Sequence, residues 1–157
     1  MNAGAFSHEI GQKVDYVEVL RGGKIVKVDK KDCKFSYRSS SFLGKKDIVV
    51  SVTFNLDKCD KEVVKSNVDA YAELRKKVQP MGKSCGSVFK NPTGKYAGKI
   101  IESLGLKGVR QGGAIVSEKH ANFILTQGGA NSQDVYSLIK LIKKKAKENE
   151  YDQRRIA

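Results

Sequence analysis

Two successive glycines, Gly22-Gly23, separate an alternating run over residues 14–20 from a second β-prone run, Lys24-Ile25-Val26-Lys27-Val28. Glycine reaches positive φ without a Cβ penalty, so the pair predicts a tight turn and an antiparallel hairpin. Residues 47–56 are rich in β-branched side chains and read as the clearest strand. Asp60 is suited to cap a helix running to about Val78, with Val64, Val68, Tyr71 and Arg75 at helical spacing and Gln79-Pro80 as its stop. A short helix is expected from Tyr96 to Leu104, closed by Gly105, then a glycine-rich connection from Lys107 to Gly113. Ala114-Ile115-Val116 and Asn122-Phe123-Ile124-Leu125 read as short strands. Asn131, with Asp134 three residues on, predicts the start of a helix from Val135 to Glu148 whose buried stripe is Val135, Leu138, Ile139 and Ile142. Strands, then a helix, then a mixture describe an α+β chain and not a doubly wound parallel sheet.

A chain of 157 residues suffices for one good core or two small lobes, with a boundary expected near residues 57–60 or 78–84. No apolar run reaches membrane-spanning length, so no membrane partner is expected and the cytoplasm is the default location. Cys33, Cys59 and Cys85 form no CxxC pair, which argues against a disulfide framework and against a metal site. Cys85 is expected to be a small buried filler. The net charge of +13 implies attraction to polyanions without naming one. Lys140, Lys143, Lys144, Lys145 and Lys147 read as a solvated helix face. No aromatics are interleaved with them as a single-strand stacking platform needs, so nucleic acid is disfavoured as a partner.

The densest chemistry lies in Ser84-Cys85-Gly86-Ser87-Val88-Phe89-Lys90-Asn91-Pro92. Hydroxyls, a lysine and an amide surround one glycine, with Val88-Phe89 placed to anchor the backbone while Ser87, Lys90 and Asn91 face a ligand. Taken alone, the segment is open between a ligand site and an incidental polar turn. At the other end, Met1-Asn2-Ala3-Gly4-Ala5-Phe6 shows no helix, strand or cap, and its small residues would let a backbone approach a cofactor closely.

Several segments, in this order, resemble the UDP-N-acetylenolpyruvoylglucosamine reductases, the MurB family. They are Met1 to Phe6, Tyr37-Arg38-Ser39-Ser40-Ser41-Phe42, Cys85 to Pro92, Ala97 to Glu102, Gly105 to Gly108, Gly112-Gly113-Ala114, and Ser117 to Phe123. The resemblance implies reduction of UDP-N-acetylglucosamine enolpyruvate to UDP-N-acetylmuramate with FAD and NADPH, in peptidoglycan synthesis. It implies Ser87 as proton donor to the substrate carbon and Arg38 as the cation that polarises the substrate carboxylate. Asn2, Ala3, Gly4 and Ala5 would lie along the FAD. Tyr37, Lys90, Asn91 and His120 would approach the UDP-sugar. Within the motif, Asn122 is expected to be a strand-edge cap.

The implied organisation is a partial FAD-binding lobe over residues 1–56, a substrate-binding domain over 57–149, and a short divergent tail over 150–157. The family's first lobe and the glutamate near its C-terminus find no matching segment, and Asp152 is not assigned that role. The expectation is therefore a truncated reductase, colourless when purified and slow with NADPH, whose partner is a complementing N-terminal lobe if another chain supplies one. The alternative is a non-catalytic remnant or a basic module for RNA or a UDP-sugar.

Overall fold

A computed structural model describes residues 1–149; the expected tail, Asp152 included, lies outside them. The described residues divide into two compact units, Met1–Asp60 and the segment that begins at Lys61. The architecture is α+β.

The first unit is built on β3 (Val14–Arg21), β4 (Lys24–Asp29) and β5 (Ile48–Phe54), in the antiparallel order β4-β3-β5. Arg21 pairs with Lys24, leaving Gly22 and Gly23 as a two-residue turn with φ of 55° and 77°. Both angles are positive, the geometry whose twist matches that of the flanking strands. Val14, Val17 and Val19 are all buried although Val14 is out of phase with the others. A register shift between Val14 and Tyr16 resolves this: the extra residue turns the strand so that all three reach one face. They pack with Val28 and Cys33, while Val26, Phe35 and Phe42 lean against the cluster. Burial raises the Cys33 thiol above its ordinary pKa, as expected where a thiolate would be poorly solvated.

The opening of the chain corrects the expectation of an unstructured terminus. Two-residue strands β1 (Gly4–Ala5) and β2 (His8–Glu9) pair antiparallel, and a 3-10 turn follows over Ile10–Gln12. Ile10 N–H donates to Ala3 O at 2.8 Å. A Cβ on Gly4 would stand 2.8 Å from His8 O and 3.0 Å from an Arg38 guanidinium nitrogen. The small residue there is accounted for by its own hairpin.

The second unit begins with α1 (Lys61–Val78), continues through α2 (Ala97–Ser103), and closes with α3 (Ser132–Glu148). Between the last two lies an antiparallel sheet in the order β6-β7-β8: β6 (Arg110–Gln111), β7 (Ala114–Val116) and β8 (Ile124–Thr126). The glycine-rich connection thus contains a strand that two residues were too few to reveal. Its turn needs glycine at position 113, where a Cβ would lie 2.6 Å from the Ala130 backbone. The core joins Phe89, Ala97, Ile101, Leu106, Ala114, Val116, Ala121 and Ile124 to Leu138, Ile142 and Ala146 of α3. The last three recur every fourth residue, so the buried stripe is set one step further along the helix than expected, with Val135 and Ile139 at its partly buried margin. The Asn131 side-chain oxygen accepts from Asp134 N–H at 3.1 Å. Asp134 in turn accepts from Asn131 N–H at 3.0 Å and from Gly113 N–H at 3.1 Å. One carboxylate therefore caps α3 and ties it to the β6–β7 turn.

Candidate functional site

The Ser84–Pro92 segment belongs to no strand, yet it is held firmly. Phe89 is buried in the core of its unit and Val88 packs against that core. Ser87 bridges Phe123 in antiparallel sense, and Val88 N–H donates to Asn122 O at 2.9 Å. Gly86, at φ 84°, turns the chain just before Ser87, and its N–H donates to Ser84 Oγ at 3.0 Å. Hydrophobic anchors pull two side chains inward, and the flanking polar residues are left at the surface.

That surface is the wall of a cavity of about 500 Å³, lined by Ser87, Asn91, Tyr96, Gly98, Lys99, Glu102, Lys119, His120, Ala121 and Asn122. Its volume lies within the range usual for small-molecule sites, roughly 300–1,000 Å³. Asn91 Oδ1 accepts from Ala97 N–H at 3.0 Å, so the same amide that lines the cavity closes the first turn of α2. His120 is set by Ser117, a buried hydroxyl that accepts from both Lys119 N–H (3.1 Å) and His120 N–H (3.2 Å). The imidazole Nδ1 accepts from Asn122 N–H at 3.2 Å. In the neutral ring this assigns the proton to Nε2, a donor. The ring rests on Phe123 at 4.8 Å between centroids and closes over Gly98, where a Cβ would meet it at 3.1 Å.

The charge inside the cavity is uneven. Lys99 and Lys119 line it together with Glu102, but Glu102 is ion-paired with Lys107, which is not in the lining. The cations therefore dominate, and the cavity suits an anion that also brings hydrogen-bond acceptors. Lys90 is exposed and is not among the lining residues. Cys85 is exposed as well, which corrects the expectation of a buried filler: Gly86 turns the chain there, and the inward positions go to Val88 and Phe89. Asn122 is no strand-edge cap: its side chain is buried against the backbone of Phe89, donating to Phe89 O at 2.8 Å and accepting from Phe89 N–H at 2.9 Å. No cluster of metal-ligating side chains occurs among the described residues.

Arg38, Tyr37 and the Asn2–Ala5 stretch lie in the other unit. Arg38 takes up a left-handed backbone conformation at φ 49°, uncommon for a residue with a Cβ. Its guanidinium donates to Gly4 O at 2.8 Å and Asn2 O at 3.4 Å, sits 3.6 Å from the Glu9 carboxylate, and lies 4.9 Å from the Tyr37 ring centroid. The Asn2 side chain is turned inward. It donates to Glu9 and to Ser36 O and accepts from Gly11 N–H, so its polar atoms serve the fold. Beside Ala3, Gly4 and Ala5 opens an apolar hollow of about 580 Å³, floored by Ile10, Phe54 and Leu56. Lys13 is the one lysine or arginine in its lining, and it is tied to Asp57. The hollow is therefore apolar and offers no unengaged lysine or arginine to a diphosphate.

Tyr96, Lys99, Glu102 and Lys119 were not singled out from sequence. Lys99 and Glu102 stand three apart on α2, a spacing that places them on one face, but periodicity does not say that this face borders Ser87.

Residues 77–151 match the family model of the C-terminal domain of UDP-N-acetylenolpyruvoylglucosamine reductase. The chain is 49% identical over 150 residues to the UDP-N-acetylenolpyruvoylglucosamine reductase of Thermotoga petrophila, an alignment covering 94% of this chain and 53% of that protein. The Clostridium novyi reductase is 41% identical over 150 residues, covering 94% and 49%. The crystal structure of MurB from Thermus caldophilus superimposes with a TM-score of 0.84 at 36% identity, covering 92% of this chain and 53% of that one. The chain spans about half the length of the curated relatives it matches. Residues 77–151 thus resemble the C-terminal domain of the UDP-N-acetylenolpyruvoylglucosamine reductases, MurB, and nearly the whole chain is similar to about half of such a reductase.

Proposed function

We propose that this chain supplies the substrate-binding half of a reductase that converts UDP-N-acetylglucosamine enolpyruvate to UDP-N-acetylmuramate for peptidoglycan synthesis in the cytoplasm. The observation that carries the reading is one cation-rich cavity lined by Ser87, Asn91 and His120 together. A nucleotide diphosphate sugar brings the negative charge that Lys99 and Lys119 favour, and acceptor oxygens for the His120 Nε2–H.

FAD, when bound, would supply the hydride taken from NADPH; Ala3, Gly4 and Ala5 beside the apolar hollow would receive its ring. The rest of the dinucleotide needs partners from a complementing N-terminal lobe. Strand β5 supports that partner: Ile48, Val49, Val50, Val52 and Phe54 are all exposed, on both faces of an edge strand. Ser87 then protonates the carbon that has become carbanionic. A serine hydroxyl is a weak acid, so the step needs a strongly basic carbon and a cationic field for the alkoxide left behind. Arg38, oriented by Gly4 O and Asn2 O, would turn its remaining N–H groups to the substrate carboxylate, and Tyr37 flanks it. Lys90, exposed next to Asn91, adds to the positive field along the loop.

Calorimetric titration with UDP-N-acetylglucosamine enolpyruvate tests the reading. Binding by the wild-type chain that is lost in the Ser87→Ala, Asn91→Ala double variant supports it. Preferential binding of RNA, abolished by charge reversal at Lys143 to Lys145, overturns it. A purified chain with stoichiometric flavin absorbance and substrate-dependent NADPH oxidation would show that this half works without the other lobe.

A further inference from the structure

We infer that Asn122 is a positioning residue that holds the Ser87 loop in place of a β-strand. Three hydrogen bonds carry the inference. The Asn122 Nδ2 donates to Phe89 O at 2.8 Å, its Oδ1 accepts from Phe89 N–H at 2.9 Å, and its backbone O accepts from Val88 N–H at 2.9 Å. A primary amide presents one donor and one acceptor side by side, the pattern that a neighbouring strand presents to an extended residue. Asn122 is 3% exposed and Phe89 4%, so neither partner has water as an alternative. The clamp lies two residues beyond Ser87, and Asn122 also lines the Ser87 cavity.

The same residue sets a second wall. Its N–H donates to His120 Nδ1, so the Ser87 loop and the His120 ring are referenced to one buried side chain and its own backbone. That Ser87 is the group being positioned rests on the reductase reading above. The clamp itself is a property of this unit and is tested separately.

Asn122→Asp keeps the shape and removes one donor. The ionised carboxylate would face Phe89 O, whereas its protonated form restores an O–H in the place of Nδ2–H. The experiment measures amide exchange at Val88 and Phe89, and affinity for UDP-N-acetylglucosamine enolpyruvate, in wild type and Asn122→Asp between pH 8 and pH 5. Each quantity is taken as a variant-to-wild-type ratio at the same pH. At pH 8 the variant should exchange these two amides about 10- to 100-fold faster than wild type, with Leu138 and Ile142 amides unchanged, and should bind the ligand correspondingly more weakly. Burial raises the pKa of a carboxyl at this position, so both ratios should fall toward one as the pH is lowered toward 5. A ratio that does not move with pH, or acceleration shared equally by Leu138 and Ile142, overturns the proposal. So does rapid exchange of Val88 and Phe89 in the wild-type protein, a readout that needs no variant to fold. A wild-type chain with protected amides and no affinity for the UDP-sugar would sink the reductase reading and leave the clamp standing.

Discussion

Helices α1 and α3 are nearly equal in length, both carry apolar residues at helical spacing, and both end in lysine-rich turns. Their surroundings differ completely. In α3, Leu138, Ile142 and Ala146 are buried at the centre of a core, whereas α1 buries none of its side chains: Val63, Val64, Val68, Tyr71, Leu74 and Val78 are all exposed. A 3.6-residue period establishes which residues share a face. Whether that face is covered depends on elements elsewhere, and the period carries no information about them.

The sharpest test of this contrast is truncation. Leu138→Ala should lower the free energy of unfolding by about 3 kcal/mol, because the methyl groups leave a cavity in a packed core. Val68→Ala should change it by less than about 0.5 kcal/mol, read from urea unfolding by circular dichroism. Equal costs would mean that α1 is packed in solution and would erase the distinction. Next in size, Gly113→Ala should cost about 2 kcal/mol, since its Cβ would press on the Ala130 backbone just before α3. Asn131→Ala should cost about 1 kcal/mol by removing the oxygen that receives Asp134 N–H. A null result at both positions would mean that α3 owes its place to the apolar stripe alone.

The smallest effect belongs to the first unit. Hydrogen bonds from Arg21 hold the Asp47 carboxyl below its ordinary range. A depressed folded-state pKa stabilises above the unfolded value of about 3.9, and the contribution fades as pH falls through the folded-state value. Asp47→Asn should therefore flatten the stability profile below about pH 4 and leave its upper limb unchanged in shape. A steepened acid limb would contradict the assignment.

The β3–β4 hairpin was legible because two glycines can do little else between two strands, and α3 because its capping pair and its stripe agree. Strands β1, β2 and β6 were not, because two residues cannot display a period. In the site, Ser87, Asn91 and His120 could be named from motifs, and all three line one cavity. Asn122 could not be read as a clamp, because its partner lies 33 residues away and only the folded chain brings the two backbones side by side. Arg38 is a similar case: its left-handed backbone and its grip on Gly4 O are tertiary facts with no local signature.

Strand β5 has a consequence for handling the protein. Ladder groups left open along a strand that also carries Ile48, Val50 and Phe54 on view can template the addition of a second molecule edge to edge. Raising the concentration should therefore promote edge-to-edge pairing, read as a rise in apparent mass by light scattering. The usable concentration of this chain is then limited by how fast that edge finds a copy of itself.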